Sequence, residues 1–109
     1  MDSILARIPV VAGLAYIEHV RQIPSLFVAT LTPEPDNRYF PMAVAVVANG
    51  GKVGYLAPEL TREYYEPIVA SATPVTCPGR RALPSDRESS GVELLLDFTK
   101  LNIGQPFAR

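Results

Sequence analysis

The sequence has few of the residues that metal sites and thiol enzymes require. Its 109 residues include one cysteine, Cys77, and one histidine, His19. One cysteine excludes a disulfide within the chain, which fits a reducing compartment. One His and one Cys, far apart in sequence, are too few ligands for a structural metal site. We therefore predict no bound metal, and we interpret Cys77, within the strand-like segment VTC, as a buried small apolar residue.

Sequence motifs of common enzymes are also missing. The chain has no G-x-S-x-G elbow, no Walker loop and no dinucleotide fingerprint. Nothing in the spacing brings His19 to Cys77 as a catalytic base. Paired carboxylates stay open from the sequence alone, but no motif indicates them. The sequence therefore predicts no enzyme activity and no cofactor.

No apolar run reaches the length that spans a bilayer. The first residues, MDSILARIPVV, make a poor signal peptide because Asp2 stands where a basic residue is expected, and because Arg7 and Pro9 interrupt the apolar run. We expect a cytoplasmic protein without a membrane partner. The net charge is −1, from ten basic and eleven acidic residues, so any phosphate binding must come from a local patch.

The composition predicts one small, mainly β domain over residues 1–109. Hydrophobic residues make up 48% of the chain, and eleven prolines favour short strands joined by turns. We expect an OB-like antiparallel barrel of about six strands with one or two short helices, because closure of a barrel removes exposed strand edges. Its core spans about 8–99, followed by a tail at 100–109, and 80–90 forms a flexible loop. The predicted strands are 8–16, with a bulge at Gly13, then 26–32, 40–48, 52–56, 74–79 and 91–99.

Turn and helix signals support this organisation. Asn49-Gly50-Gly51 predicts a two-residue hairpin turn, because a type I′ turn needs positive φ at two positions. Residues 17–23 predict either one or two helical turns or a polar connection. Residues 58–70 predict a helix with Pro58 at its first position and an apolar face, and Pro67 is expected to end or kink it.

The cluster Arg38-Tyr39-Phe40 follows a polar turn and precedes a strand. Aromatic side chains at such a rim can stack on nucleobases, and a neighbouring Arg can hold phosphate. Alternatively, one ring covers the core and Arg38 is simply solvated. Arg80 and Arg81 either extend a basic groove or belong to a solvated loop.

Two stretches of the sequence resemble a known family. Residues 34–46, EPDNRYFPMAVAV, and residues 51–60, GKVGYLAPEL, are similar to the HIRAN patterns R-E-P-D-N-P-Y-D-P-N-A-V-A-V and G-K-x-G-Y-L-P-x-E-L. HIRAN domains occur in helicase-like transcription factor and related DNA-repair proteins. Upstream, VVAGLAY resembles the first strand of the family, so the similarity covers roughly Val10 to Phe98.

The resemblance implies an OB-like barrel that binds the 3′-hydroxyl end of single-stranded DNA, and it identifies the residues that would do so. Tyr16 and Tyr39 fall on the two ring positions of the family pocket. Ala15 and Phe40 stand where the family has Arg and Asp. The rings are therefore kept while the charged groups that grip the terminal hydroxyl are lost, so we expect weak selectivity for a free 3′ end. The expected nucleic-acid-binding residues are Tyr16, Arg38, Tyr39, Phe40, Lys52, Tyr55, Arg80 and Arg81.

Two functions from different classes are compatible with these sequence features. The first is a module that binds single-stranded DNA or DNA ends. Its role would be to recognise that DNA or to recruit a partner protein, a helicase or nuclease. The second is a protein-interaction or regulatory module on the same barrel, in which Phe40 and Met42 contribute to an apolar contact patch.

Overall fold

The computed structural model describes residues 8–11, 13–82 and 93–103. These residues form one six-stranded antiparallel sheet with two α-helices. Residues 83–90 of the predicted loop and residues 104–109 of the predicted tail lie outside the described residues. The strands are β1 (Ile8–Pro9), β2 (Leu26–Glu34), β3 (Ala43–Ala48), β4 (Gly51–Tyr55), β5 (Val75–Ala82) and β6 (Glu93–Leu96). The helices are α1 (Ile17–Val20) and α2 (Pro58–Ala70), and 3₁₀ turns occupy Gly13–Tyr16 and Phe98–Lys100.

The sheet curls into a half-barrel whose two edges approach each other. The strand order is β1-β6-β5-β2-β3-β4. Just beyond β1, Val11 pairs with Tyr55 at the end of β4 through two backbone hydrogen bonds of 2.9 Å each. This pair connects the segment that follows β1, at one edge of the sheet, to β4, at the other edge. The predicted mainly β class, with six antiparallel strands and two short helices, is confirmed.

The core lies on the concave side of the sheet. Phe27, Ala29 and Leu31 alternate inward along β2, as expected for a strand with one buried face. Val44 and Val46 of β3 are fully buried in the same cluster. Each buried Val, Leu or Phe side chain in this cluster contributes about 1.5–3 kcal/mol.

Glycine permits two tight features of β4 and its turn. Asn49 and Gly50 have φ of 51° and 84°, which confirms the predicted hairpin turn. Gly54 has φ of 155°, and a Cβ at this position would lie 2.6 Å from the carbonyl oxygen of Val11. Only glycine therefore allows the chain after β1 to approach β4 so closely.

Helix α2 has the predicted bounds and the predicted buried face. Pro58 is its first residue, where the absence of an N–H costs nothing. Ile68 is buried, and Tyr64 packs edge-on against Phe98 with ring centroids 5.2 Å apart. The helix continues through Pro67 and ends three residues later, at Ala70.

Three of the predicted strands are too long. The first ends at Pro9, because Val11 turns away to pair with Tyr55, and Tyr16 belongs to a 3₁₀ turn. The third begins at Ala43, because its N–H closes a turn onto the carbonyl oxygen of Phe40 at 2.9 Å. The last ends at Leu96, after which the Asp97 side chain caps a 3₁₀ turn.

Candidate nucleic-acid interface

The polar turn between β2 and β3 is fixed by the side chain of Asn37. Its Oδ1 accepts hydrogen bonds from the N–H of Tyr39 at 2.8 Å and of Phe40 at 3.0 Å. Its Nδ2 donates to Glu34 Oε1 at 3.1 Å, so the turn is also tied to the end of β2. A side chain that satisfies two backbone donors holds a turn in one conformation. Asn37 thereby fixes the backbone that carries both aromatic residues.

Beside this turn, the fold encloses an open cavity of about 380 Å³. Three separate parts of the chain supply its walls: the chain after β1, the β2–β3 turn with the first residue of β3, and the segment that joins β4 to α2. Cavities of this size take small organic ligands when a few polar groups interrupt an apolar lining. The lining residues are Val11, Tyr16, Asn37, Tyr39, Phe40, Ala43, Tyr55, Leu56 and Pro58.

The aromatic rings around the cavity differ in exposure. Tyr39 is 88% exposed, whereas Tyr16, Phe40 and Tyr55 are half-buried. The rings of Tyr16 and Tyr55 lie 6.3 Å apart at an interplanar angle of 50°. The cavity therefore combines one free ring at its rim with packed rings in its wall, an arrangement on which a planar group can stack.

Tyr55 of the cavity wall belongs to a closed set of hydrogen bonds. Lys52 Nζ donates to Glu34 Oε2 at 2.6 Å and to the Tyr55 hydroxyl at 2.9 Å. The Tyr55 hydroxyl in turn donates to Glu34 Oε1 at 2.8 Å. We call Glu34, Lys52 and Tyr55 the triad. Lys52 Nζ also lies 5.1 Å from the ring centroid of Tyr55 and 5.8 Å from that of Tyr16, both within cation–π range.

Small residues of β3 make the triad possible. Glu34 pairs with Ala43, and Tyr55 pairs with Ala45, so all four side chains share the outer face of the sheet. Ala43 and Ala45 are nonetheless buried, at 5% and 1% exposure. Their short side chains leave room for groups on β2 and β4 to meet across β3.

The triad shifts the pKa values of its members. Partial burial raises the pKa of the Glu34 carboxyl, but hydrogen bonds from Lys52, Asn37 and Tyr55 outweigh it and hold that pKa below its usual value. The hydrogen bond to Glu34 raises the pKa of Lys52. The hydrogen bond from Lys52 lowers the pKa of Tyr55. Burial and the hydrogen bonds with Tyr16 and Glu34 raise that pKa by more, so the net shift is upward. At neutral pH the triad holds one carboxylate, one ammonium and one neutral phenol.

The structure gathers five of the eight predicted site residues. Tyr16, Tyr39, Phe40 and Tyr55 line the cavity, and Lys52 Nζ lies 2.9 Å from the hydroxyl of Tyr55. Arg38 is exposed on the turn beside Tyr39.

Arg80 and Arg81 lie elsewhere in the fold. Arg80 is paired with Leu26 in the sheet, and the Arg81 guanidinium donates to the carbonyl oxygen of Ile23 at 3.0 Å. Neither residue is among those that line the cavity in the described part of the chain. The predicted extension of a basic groove from this pair therefore does not form at the cavity.

Glu34 and Asn37 belong to the site although the sequence patterns did not assign them to it. Both lie in the segment EPDN, whose composition indicates only a turn. The signal that could have identified them is their spacing, because a carboxylate three residues before Asn can accept from its side-chain amide across a turn.

The residues considered for metal or thiol chemistry have structural roles. Cys77 is buried, as predicted, and burial together with Asp97 raises the pKa of its thiol to about 12. His19 Nε2 lies 2.7 Å from the carbonyl oxygen of Ala48. Within residues 8–11, 13–82 and 93–103, no group of three or more His, Cys, Asp or Glu side chains could hold a metal ion.

Neither helix of the described chain is long and apolar enough to cross a membrane. Comparisons with protein-family models, with curated proteins and with solved structures find no match in any of the three. The resemblance to the HIRAN domain therefore stays a prediction that rests on the sequence patterns alone.

Proposed function

We propose that this chain is a nucleic-acid-binding module that takes a base of single-stranded DNA, or of a DNA end, into the cavity beside Tyr39. The observation that carries the proposal is the convergence of Tyr16, Tyr39, Phe40 and Tyr55 on one open cavity next to Lys52. Every base presents a planar face, so stacking on such rings tolerates different sequences and is worth about 1–3 kcal/mol per base.

The charges around the cavity suit weak contact with a nucleic-acid backbone. Arg38 is exposed on the same turn as Tyr39, where its guanidinium can reach a phosphate outside the cavity. The net charge of −1 provides no general attraction for DNA. We therefore propose binding that depends mainly on stacking, with selectivity for a free 3′-hydroxyl weakened by Phe40 and Ala15.

Fluorescence anisotropy with short labelled oligonucleotides tests this proposal. The probes are a single strand with a 3′-hydroxyl, the same strand with a 3′-phosphate, and a blunt duplex, each at low and moderate salt. Tyr39→Ala should reduce single-strand affinity by about tenfold, as expected for the loss of one stacked base. Tyr39→Phe, which keeps the ring, should bind nearly as well as the wild type. Absence of binding even at low salt would reject the proposal.

A second candidate function, a protein-interaction module, is favoured by a different surface. Leu26 and Val28 are 74% and 64% exposed on the outer face of β2. They pair with Arg80 and Pro78 of β5, which gives a partly apolar outer face. Phe40 and Met42, the residues expected to form such a patch, are half-buried instead. Analytical ultracentrifugation of the wild type and of Leu26→Ser/Val28→Ser tests self-association through this face.

A further inference from the structure

Three side-chain donors at or beside the cavity point to one carboxylate. Glu34 accepts hydrogen bonds from Lys52, Tyr55 and Asn37, at 2.6, 2.8 and 3.1 Å. Both of its oxygens are used. Tyr55 and Asn37 line the cavity, so any ligand group that reached their donors would also come close to the Glu34 carboxylate.

This arrangement determines what kind of ligand group the wall accepts. A phosphate is attracted by the Lys52 ammonium but repelled by the Glu34 carboxylate, which lies 2.6 Å from that ammonium. It would also have to displace Glu34 from donors that are already satisfied. An uncharged nucleoside meets neither cost, because it needs only the rings and the apolar lining.

We propose that Glu34 is the residue that determines the charge selectivity of the cavity, admitting an uncharged nucleoside and disfavouring a terminal phosphate. The inference rests on the proposed function and specifies the chemistry of its ligand. Glu34 acts through Lys52 and Tyr55, whose donors it keeps from phosphate. Backbone phosphates then contact the rim beside Arg38 rather than the wall.

Glu34→Gln tests this role because it removes the negative charge while keeping a side chain of the same size. The control is Glu63→Gln, an exposed residue of α2 that makes the same change in net charge away from the cavity. Affinity is measured by anisotropy for one oligonucleotide with either a 3′-hydroxyl or a 3′-phosphate, across a salt series. Circular dichroism and thermal unfolding verify that each variant is folded.

The wild type should bind the 3′-phosphate strand less tightly than the 3′-hydroxyl strand, because Glu34 repels the added phosphate and not because the cavity recognises the hydroxyl. Glu34→Gln should raise affinity for the 3′-phosphate strand by about fivefold, the worth of one partly exposed ion pair. It should also steepen the slope of log affinity against log salt by about 0.7, as expected for one new phosphate contact on a single strand. Lys52→Met added to Glu34→Gln should abolish both changes, and Glu63→Gln should produce neither.

The outcomes separate this inference from the proposed function. Equal binding of both strands by the wild type, unchanged in Glu34→Gln, would overturn the role of Glu34 while leaving the nucleic-acid-binding module intact. Failure of every variant to bind either strand at low salt would overturn the proposed function itself. A Glu34→Gln protein that folds but loses affinity for both strands equally would show that Glu34 only supports the fold of the wall.

Discussion

Glu34 Oε2 and Lys52 Nζ lie 2.6 Å apart although their strands, β2 and β4, are separated in the sheet by β3. The pair is partly exposed, with side-chain exposures of 24% for Glu34 and 32% for Lys52. Such pairs contribute little to stability on their own, about 0–1 kcal/mol. Its importance is local, because it orients the Tyr55 hydroxyl at the cavity wall.

The triad predicts a particular dependence of stability on pH. The folded-state pKa of Glu34 is below its ordinary value of 4.5, so its ionised form stabilises the fold above that value. That contribution is lost as the pH falls through the lowered pKa. The raised pKa of Lys52 affects stability on the alkaline side. The contribution of Lys52 to stability is complete below the ordinary pKa of 10.5, and it is lost as the pH rises through the raised pKa.

Thermal unfolding midpoints from pH 7 to pH 3 measure the acid side of this effect. The wild type should be more stable than Glu34→Gln at pH 7, and the two midpoints should converge toward pH 3. Other carboxyl groups titrate in both proteins and cancel in the difference. Midpoints that stay a constant distance apart across this range would contradict the assignment of a lowered pKa to Glu34.

Ala45→Leu is expected to separate the triad. Ala45 is 1% exposed beneath the side chains that meet across β3, so added methylene groups must displace them. Overpacking of this kind costs about 1–3 kcal/mol. Urea unfolding measures the loss, and Ala70→Leu, the same substitution at an exposed position at the end of α2, is the matched control. If Ala45 supports the triad, the effects of Ala45→Leu and Glu34→Gln should not be additive.

The sequence predicts well the features that short segments determine. Asn49 and Gly50 form the expected turn because both positive-φ residues are neighbours in the chain. The triad was not predictable in this way, since Glu34 is 18 residues from Lys52 and 21 from Tyr55. Only the order of strands in the sheet brings these side chains together.

The first strand shows the same limit. Its apolar, β-branched sequence continues past Pro9, and nothing local indicates where it ends. The end is determined by Val11, which pairs with Tyr55 of β4 more than forty residues later in the chain. The ring positions Tyr16 and Tyr39 could be named from the sequence patterns. Their convergence on one cavity depends on this long-range pairing.

Gly54→Ala is expected to open the junction between the two edges of the half-barrel. A Cβ at residue 54 would meet the carbonyl oxygen of Val11 at 2.6 Å, and φ of 155° is unfavourable for alanine. We expect a loss of about 3 kcal/mol or more in the free energy of unfolding, from backbone strain and the broken pairing with Tyr55.

Gly50→Ala is the matched control for this change. Gly50 also has positive φ, at 84°, but nothing lies within 4 Å of its added Cβ. Gly50→Ala should therefore cost only the free energy of placing alanine at a positive φ, about 1–2 kcal/mol. Equal losses for the two variants in urea unfolding would show that the contact with Val11 does not constrain residue 54.

The last prediction concerns the two positions at which the sequence departs from the HIRAN pattern. Phe40 lines the cavity, and Ala15 is exposed in the 3₁₀ turn that carries Tyr16. Ala15→Arg/Phe40→Asp places the charged groups of the family at both positions, next to rings that are already present. A charged hydrogen bond to a terminal hydroxyl is worth about 1.5–3 kcal/mol, so preference for a 3′-hydroxyl over a blocked end should rise about tenfold or more.

Anisotropy with a 3′-hydroxyl strand and a 3′-O-methyl strand measures this preference without changing the charge of the probe. Ala15→Arg alone is the control for added positive charge, and it should raise affinity for both strands equally. The double variant should favour only the free hydroxyl, since the carboxylate is the group that accepts a hydrogen bond from that hydroxyl. A double variant with no preference would mean that this cavity does not present the terminal sugar as the HIRAN pocket does, and that its rings bind bases wherever they occur along the strand.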